Sequence, residues 1–435
     1  MPADLSRSSR TSHRRARWAA SAAAAACAVT LAACTGNAAV SSGPTGTGSS
    51  AAAGTASAGA SADPTSTGTG TNGGADSSLP TTASPATACV TQAYDQLTLA
   101  QRVGQLFLVV PSSDISDIAG EHERAAFAQY HFGSVLLPAN SVGATALATE
   151  TAAVQALAAA DTHGVRFLIA ANQEGGQIQQ LTGPGFDVMP SAVVQGTWSA
   201  STLRAQAKTW GSQLHAAGVN LNLAPVMDTV PAGTASTNAP IGELDREFGS
   251  DPQSNGEHGV AFIDGMAAAG VASVPKHFPG LGRVAGNTDF TSHVVDSVTT
   301  ATDPYFASYR AAVDGGALYM MVAEATYTKI DADHLAVFSP VVMKLLRGGL
   351  GFNGVILSDD IGDAAAVASV PAGQRALDFL NAGGDLITSQ SLTPAEEMAT
   401  TVLATATSDS AFRATVDAAA RRVLAAKQVQ GLLPC

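Results

Sequence analysis

One stretch of the chain decides its predicted fold: Val271-Ala-Ser-Val-Pro-Lys-His-Phe-Pro-Gly-Leu-Gly-Arg-Val-Ala-Gly-Asn-Thr-Asp-Phe-Thr-Ser-His293. It begins as a short apolar run with β-branched residues, which is typical of a buried strand. Lys276 and His277 then stand side by side, and a loop rich in Gly, Asn and Asp follows. A buried strand that ends in polar side chains and a flexible loop indicates an α/β scaffold with its chemistry at the strand ends.

Seven more apolar runs of this kind lie along the chain, and Ala-rich helical segments separate them. In all, the strand-like runs cover residues 107–110, 134–138, 166–172, 220–228, 271–278, 318–325, 354–359 and 386–389. Helical segments include residues 144–160, 199–217 and 341–349, and glycines stand where C-terminal caps are expected. Eight β–α alternations in about 345 residues predict an α/β fold, a (β/α)8 barrel of TIM type in a single catalytic domain. A doubly wound open sheet is the structural alternative.

The first 33 residues have the pattern of an export signal. Five Arg side chains between residues 7 and 17 precede an apolar run over residues 18–31, which is short for a membrane span. Leu31-Ala-Ala-Cys34 resembles the lipobox of bacterial lipoproteins, which implies cleavage before Cys34 and lipidation of its thiol. The alternative is an ordinary signal peptide in which Cys34 is incidental. We therefore expect an exported protein, either lipid-anchored on the outer face of the cell membrane or secreted.

Composition divides the remainder of the chain into two parts. Residues 34–88 are almost wholly Ser, Thr, Gly, Ala and Pro without Lys or Arg, and are predicted to form a disordered tether to a domain at 89–435. Cleavage after residue 33 leaves 17 basic and 34 acidic side chains, a formal net charge of −17. Such an acidic protein is predicted not to bind nucleic acid, and to reach a membrane only through its lipid. We expect a monomer.

Two cysteines lie beyond the signal and the lipid candidate, Cys89 and Cys435. Exported proteins favour oxidised pairs, and two thiols permit one intramolecular bridge. We therefore predict a Cys89–Cys435 disulfide that joins the two ends of the domain. Two unrelated thiols are the alternative.

Polar side chains follow five of the predicted strands. They are Asn172-Gln-Glu-Gly-Gly176 after the third, Asp228 after the fourth, Lys276-His277 after the fifth, Glu324 after the sixth and Ser358-Asp-Asp360 after the seventh. Carboxylates that face one pocket beside Lys and Arg suit glycoside hydrolysis, in which one carboxylate attacks the anomeric carbon and a second group protonates the leaving oxygen. A strand-end Asp is also a common helix cap, and this is the favoured role for Asp360.

Several ordered motifs resemble one known family. They are Leu99-Ala-Gln-Arg-Val-Gly-Gln105, Glu174-Gly-Gly176, Leu223-Ala-Pro-Val-Met-Asp228, Arg246-Glu-Phe-Gly-Ser-Asp-Pro252, Lys276-His-Phe-Pro-Gly-Leu-Gly282, Gly351-Phe-Asn-Gly-Val-Ile-Leu-Ser-Asp-Asp360 and Asn381-Ala-Gly-Gly-Asp385. Together they resemble glycoside hydrolase family 3, and within it the single-barrel branch of β-N-acetylhexosaminidases. The resemblance spans residues 95–430 and implies that the second, sandwich domain of larger members is absent.

The resemblance assigns roles to individual residues. It places the catalytic nucleophile at Asp359, which implies a covalent glycosyl-enzyme and retention of anomeric configuration. Lys276, His277 and Arg246 match the family's sugar-hydroxyl contacts, although Glu243-Leu-Asp245 makes the spacer before Arg246 longer than usual. The other strand-end residues complete the predicted substrate-binding set: Asn172, Glu174, Asp228 and Glu324.

The loop after Lys276-His277 departs from the family pattern. The branch carries Asp-Ser-His there, whose His is the general acid/base, whereas this chain has Asn287-Thr288-Asp289. Because burial or a nearby negative charge can raise a carboxyl pKa, Asp289 is the first candidate for the acid, with Asn287 helping to position it. His293 and Glu324 are the second and third candidates. Gly-Asn-Thr-Asp is also strong turn composition, so Asp289 as a simple turn residue is the alternative.

A second departure leaves the sugar open. Asn172 stands where the family has Asp, Gln177 and Gln180 replace two Arg, and Leu281 replaces a His. The leading hypothesis is hydrolysis of terminal β-linked N-acetylglucosamine, with cell-wall fragments as the source of substrate. A β-glucosidase-like or other family 3 glycosidase is the first alternative, and a non-catalytic sugar-binding protein is the second. No cofactor and no metal are predicted, because the sequence has neither His-Glu-x-x-His nor a Walker-type loop.

Overall fold

A computed structural model describes residues 85–435. Its centre is one sheet of eight parallel strands: β1 Phe107–Val109, β2 Ser134–Leu136, β3 Leu168–Ala171, β4 Leu221–Asn222, β5 Ala272–Ser273, β6 Tyr319–Val322, β7 Val355–Asp360 and β8 Leu386–Ser389. Hydrogen bonds connect them in the order β5-β4-β3-β2-β1-β8-β7-β6. Each strand overlaps one of the eight predicted runs, which are apolar along their length because both faces of the sheet are covered.

The two edge strands of this order also meet each other. Just beyond β5, the Met321 amide donates to the Pro275 carbonyl at 3.0 Å. The Phe278 amide donates to the Met321 carbonyl at 2.8 Å, and the Ala323 amide donates back to the Phe278 carbonyl at 2.9 Å. These bonds close the sheet, so the predicted (β/α)8 barrel is confirmed and the open-sheet alternative is wrong.

Helices surround the barrel: α1 Pro85–Gln96, α2 Leu99–Gly104, α3 Glu121–Tyr130, α4 Ala144–Asp161, α5 Ala192–Gln195, α6 Ala200–Ala216, α7 Pro252–Ala267, α8 Ala307–Asp314, α9 Pro340–Lys344, α10 Ala372–Ala382, α11 Leu392–Ser408 and α12 Ser410–Val429. The three predicted segments correspond to α4, α6 and α9, the last continued by a π-helical turn over Leu345–Gly349. Ser199 caps α6, because its hydroxyl accepts the Thr202 amide proton. No helix between residues 85 and 435 has the length and apolar character needed to cross a membrane.

Additional strands lie beyond the C-terminal ends of the barrel strands. A small hairpin pairs Gln173–Gly175 with Ile178–Gln179 after β3. A three-stranded sheet combines Val295–Thr300, from the segment after β5, with Thr326–Lys329 and Asp331–Leu335, from the segment after β6. These insertions shape the mouth of the barrel.

The opposite face of the barrel holds the two ends of the described chain. Cys89 in α1 forms a disulfide with Cys435, with their Cα atoms 5.7 Å apart. Close to Cys435, the Leu432 carbonyl accepts the amide of Arg166, two residues before β3. Lys427 of α12 is fully buried and donates to the carbonyl of Gly133 at 2.8 Å, immediately before β2. The ends therefore meet at the N-terminal side of the strands.

One predicted boundary is wrong. Helix α1 begins at Pro85, so residues 85–88 belong to a helix rather than to the predicted tether. Pro is favoured in the first turn of a helix, and the Ala residues that follow are good helix formers. The predicted export signal, the lipidation site Cys34 and the rest of the tether lie outside the described residues.

Candidate active site

A cavity of about 240 Å³ opens at the C-terminal ends of the strands. Residues of β2, β6, β7 and β8, and of the segments that follow β3, β4, β5 and β8, line it. The lining includes seven predicted site residues, namely Asn172, Glu174, Arg246, Lys276, His277, Asp289 and Asp359. Barrel closure therefore brings together side chains that lie up to 187 positions apart in the sequence. Three other predicted residues, Asp228, His293 and Glu324, do not line this cavity.

A buried ion cluster forms one wall of the cavity. The Glu174 carboxylate accepts from Arg246 Nε and Nη2, both at 2.8 Å, in a bidentate pair. Lys276 Nζ lies 2.7 Å from Glu174 Oε1 and donates to Asn172 Oδ1 at 2.8 Å. Both oxygens of Glu174 are therefore already paired, so Glu174 holds the two cations in place rather than serving mainly as a sugar contact. Lys276 and Arg246 keep further N–H groups that can reach a substrate hydroxyl.

Charge compensation keeps this wall ionised. Burial alone raises the pKa of Glu174, but the charges of Arg246 and Lys276 outweigh it and bring that pKa down to about 2. Burial lowers the pKa of Lys276, while the Glu174 carboxylate opposes that change. Glu174 is consequently ionised at neutral pH.

Asp228 lies behind the cavity rather than in it, which corrects its prediction as a substrate contact. Its side chain is fully buried and accepts from His277 Nδ1, the Tyr309 hydroxyl and the Leu281 amide, each at 2.7 Å. With Nδ1 held by Asp228, the His277 ring turns Nε2 towards the space that a substrate would occupy. Asp228 is thus a positioning residue for His277. Its bond to Leu281 uses the main chain, which explains why the side chain at 281 can differ from the family's His.

The two acidic residues at the end of β7 have different environments. Asp359 is half-buried and lines the cavity, and its Oδ1 accepts only the Asp360 amide at 3.0 Å. Asp360 Oδ1 accepts the amides of Gly362 and Gln390, both at 3.0 Å. The next helical turn begins only at Ala365, so Asp360 stabilises a turn and is not the helix cap that was predicted. Burial raises the pKa of Asp360 to about 7. Both residues line the cavity, and of the pair Asp359 is the more exposed carboxylate.

The loop that carries Asp289 is an ordered turn. Asn287 Oδ1 accepts the Asp289 amide at 2.9 Å. Asn287 was predicted to help position Asp289, and it does so through the main chain and not through the carboxyl group. The carbonyls of Thr288 and Asp289 accept the amides of Ala366 and Ala365 at 3.1 and 3.2 Å, which ties the loop to the segment after β7. The turn composition and the cavity position of Asp289 are therefore compatible.

Asp289 has the electrostatic setting of an acid. Its side chain is open to solvent on one side and surrounded by the cavity mouth on the other. Partial desolvation, followed by the negative charge of Asp359, raises the pKa of Asp289 above its ordinary value. Arg246, His277 and Lys276 act in the opposite direction without reversing the shift. A carboxyl with a raised pKa keeps its proton to higher pH and can deliver it to a leaving group.

The positions of His293 and Glu324 contradict their prediction as the catalytic acid. His293 is exposed and lines a different surface cavity, since the chain turns at its φ of 61° towards the strand Val295–Thr300. Glu324 is fully buried, neither carboxyl oxygen has a hydrogen-bond partner, and it does not line the active-site cavity. Burial, then the charges of Asp359 and Asp360, raise the pKa of Glu324 well above its ordinary value. Burial therefore favours the protonated form of Glu324, which lies behind the site and is not a substrate contact.

Tyr309 and Phe290 are two of the residues at or beside the site that were not predicted. Tyr309 lies in α8, 81 positions from Asp228, and nothing in its local sequence indicates a contact with that carboxylate. Phe290 follows Asp289 and lines the cavity although its side chain is 82% exposed. An aromatic residue beside a candidate acid was the available signal for Phe290.

Comparisons with known proteins agree with this geometry. Residues 98–426 match the family described as "Glycosyl hydrolase family 3 N terminal domain". A β-hexosaminidase of Xanthomonas campestris pv. campestris is 33% identical over 266 residues, which are 59% of this chain and 76% of that protein. The crystal structure of a β-N-acetylhexosaminidase from Beutenbergia cavernae is 45% identical, with a TM-score of 0.72 over 76% of this chain and 99% of that one. A family 3 β-N-acetylglucosaminidase from Paenibacillus sp. is 26% identical, with a TM-score of 0.68 over 77% of this chain and 63% of that one. The chain belongs to glycoside hydrolase family 3.

Proposed function

We propose that this protein is a retaining exo-glycosidase, a β-N-acetylhexosaminidase that removes terminal β-linked N-acetylglucosamine. The observation that carries the proposal is the placement of Asp359 and Asp289 in one cavity beside the ion cluster of Glu174, Arg246 and Lys276. Family membership and the similarity to proteins named as β-hexosaminidases support the same activity.

The two carboxyl groups divide the chemistry between them. The Asp359 carboxylate attacks the anomeric carbon, while Asp289 gives its proton to the glycosidic oxygen and the bond to the leaving group breaks. The product is a glycosyl ester on Asp359 and a neutral leaving alcohol. Asp289, now ionised, takes a proton from water, whose oxygen attacks the same carbon and releases Asp359. Two inversions at one carbon give net retention.

The ion cluster and His277 hold the sugar during both steps. Lys276, Arg246, His277 and Asn172 supply hydrogen-bond donors and acceptors that face the cavity, and hydroxyl groups are their natural partners. The cavity volume of about 240 Å³ is below the usual range for ligand pockets, which favours a single terminal sugar and therefore exo-action.

A different sugar specificity is the second candidate. Asn172 is neutral, and its side-chain oxygen Oδ1 already accepts a hydrogen bond from Lys276. Its main-chain amide donates to Gln180 Oε1. These neutral groups replace charged ones of the family, so a β-glucoside or another β-glycoside is the alternative substrate. A sugar-binding protein without catalysis is the third, and it would have no use for an acid with a raised pKa facing Asp359.

Activated substrates test the nucleophile and the sugar together. A protein spanning residues 80–435 is assayed with dinitrophenyl β-glycosides of N-acetylglucosamine and of glucose, beside an Asp359→Asn variant. The variant should lose at least about 10⁴-fold in turnover with its fold unchanged, because the attacking carboxylate is gone. Near-normal activity in the variant would reject Asp359, and the preferred sugar decides between the first two candidates. Absence of turnover on both sugars would favour the sugar-binding alternative.

We further propose that the protein is exported, acts as a monomer outside the cell on cell-wall fragments, and is anchored through Cys34. The support is the basic and apolar pattern of residues 1–33 followed by Leu31-Ala-Ala-Cys34. Replacement of Cys34 by Ala should move the enzyme from the membrane fraction to the medium. Equal distribution of both forms would mean that Cys34 carries no lipid.

A further inference from the structure

Phe290 is an unusual residue for the mouth of a polar cavity. Its side chain is 82% exposed, yet it lines the same cavity as Asp289 and Asp359. A large aromatic ring that stays in water forgoes the free energy of burial. Exposed apolar surface at a functional cleft is characteristic of a binding surface.

The backbone, and not side-chain packing, holds this ring in position. The Phe290 amide donates to the Asn287 carbonyl at 3.2 Å, and the Thr291 amide donates to the same oxygen at 2.9 Å. Thr288 is only 2% exposed, and its carbonyl accepts the Ala366 amide. The loop is therefore anchored on both sides of Asp289, while the ring itself stays free to meet a ligand.

The proposed mechanism places the leaving group beside the Phe290 ring. In the proposed mechanism Asp289 protonates the glycosidic oxygen, so that oxygen must come within hydrogen-bond reach of its carboxyl group. The sugar to be cleaved occupies the inner cavity near Lys276 and His277, and the leaving group extends outward from the bridging oxygen. The next side chain along the loop is Phe290. Half-buried Ile178 and Leu244 line the same cavity and add apolar surface.

We propose that Phe290 forms a binding subsite for the leaving group, and that the leaving group it recognises is a second sugar ring. The apolar C–H face of a pyranose matches an exposed aromatic face, and contact between them removes apolar surface of both from water. The inference rests on the proposed function, because it uses Asp289 as the proton donor. It adds a substrate class, a β-linked oligosaccharide in preference to a glycoside of a small alcohol.

The same subsite would also receive an acceptor sugar. After the first step the glycosyl group is held as an ester on Asp359. A hydroxyl of an acceptor sugar resting on Phe290 can attack the anomeric carbon in place of water, with Asp289 taking its proton. The ester bond breaks, a glycosidic bond forms, and Asp359 leaves as a carboxylate. The ratio of transfer to hydrolysis therefore reports on the subsite independently of the first step.

The test compares Phe290→Ala with Phe290→Tyr in the protein spanning the folded domain. The substrates are the β-linked disaccharide of N-acetylglucosamine and the β-glycosyl fluoride of the same sugar, whose leaving group has no ring. The ratio of kcat/KM for the disaccharide to that for the fluoride should fall about tenfold in Phe290→Ala and be largely restored in Phe290→Tyr. Transfer to an added acceptor sugar should fall in parallel. Val188→Ala is the matched control, because Val188 is 92% exposed and does not line the cavity.

Two results would overturn the inference. A ratio that stays unchanged in Phe290→Ala would show that the ring does not contact the leaving group. An equal loss on both substrates would assign Phe290 a structural role in the loop. Disaccharide binding to the Asp359→Asn variant provides a measurement that needs no turnover. There, Phe290→Ala should weaken the disaccharide about tenfold and the monosaccharide much less. If the wild-type enzyme fails to hydrolyse either substrate, the proposed function is wrong, and this binding difference still decides the subsite.

Discussion

The two walls of the cavity hold their charged groups in opposite ways. The cation wall, made of Glu174, Arg246 and Lys276, is buried, and its charges are paired with one another. The acid loop, residues 287–291, exposes its carboxyl to solvent and is held by main-chain hydrogen bonds. Ion pairing holds the pKa of Glu174 low on the first wall, whereas desolvation, followed by the charge of Asp359, raises the pKa of Asp289 on the acid loop. A glycosidase needs both: charged groups that hold the sugar in a fixed position, and an acid that can donate a proton to the leaving group.

Of the two walls, the acid loop should give the larger loss of activity when its proton donor is removed. Asp289→Ala should reduce kcat/KM by about 10²–10⁴-fold on substrates with poor leaving groups, because general acid catalysis typically contributes that factor. Dinitrophenyl glycosides, which need little proton assistance, should lose much less. In the wild-type enzyme the rate on poor leaving groups should fall as pH rises through the raised pKa of Asp289, and the variant should lack that fall.

Steady-state kinetics across a series of aryl leaving groups measure this prediction. Asp289→Asn is the matched control, since it keeps the size of the side chain and the turn. Equal losses on activated and poor leaving groups would mean that Asp289 is not the acid.

The next effect comes from breaking the cation wall. Glu174→Gln leaves Arg246 and Lys276 buried without their carboxylate, which should cost about 3–5 kcal/mol of unfolding free energy. Misplacement of both cations should also lower kcat/KM about 10²-fold on activated and poor leaving groups alike. Because the folded pKa of Glu174 is about 2, below its ordinary value of 4.5, its stabilising contribution is present above pH 4.5 and is lost as pH falls towards 2.

Urea unfolding at several pH values measures the stability effect, and the variant should show less of this acid-dependent loss. Asp264→Asn is the control, because the Arg204–Asp264 pair is exposed and should change stability by no more than about 1 kcal/mol. A Glu174→Gln variant as stable as the wild type would show that the cation wall is not held by its charges.

The smallest effect on activity is expected from substitution of Glu324, which lies behind the cavity. Since its raised pKa keeps it protonated, Glu324→Gln replaces one neutral polar group with another and should change turnover by less than about threefold. A buried acid with a raised folded pKa loses stability relative to the unfolded chain as pH rises above 4.5. The variant lacks this loss, so its stability relative to the wild type should increase between pH 4.5 and 8. Urea unfolding measures that trend, and a large fall in turnover would instead give Glu324 a part in the reaction.

Sequence patterns predicted the barrel and the residues that face its mouth, but not the side chains that lie behind them. All eight strands were found because strands covered on both faces are apolar along their length. Asp359 and Lys276 were found because their motifs are local. Asp228 and Glu324 were predicted as substrate contacts because the sequence does not show whether an acidic side chain at a strand end points into the cavity or away from it. Their direction depends on pleat and on barrel closure, which join residues from different strands.

The loop after β5 shows the same limit. Asn287-Thr288-Asp289 could be read as a turn or as a catalytic substitution, and the hydrogen bonds to Ala365 and Ala366 show that the turn is what delivers Asp289 to the cavity. His293 was a reasonable candidate four residues further on. The three-stranded sheet takes the chain away from the site at that point, because it pairs Val295–Thr300 with Thr326–Lys329, more than 25 residues further along the chain. No local pattern reports such a pairing.

The disulfide between Cys89 and Cys435 fixes the face of the barrel at which the described chain begins. The described chain starts at Pro85 beside this bridge, on the side of the barrel away from the cavity. The residues that precede Pro85 therefore join the domain at the face opposite the cavity, and this attachment point leaves the cavity mouth clear. With the proposed lipid on Cys34, this attachment point would leave the cavity mouth accessible to glycan fragments. Shortening the tether would then alter where the enzyme can reach, while the rate of each catalytic step would stay the same.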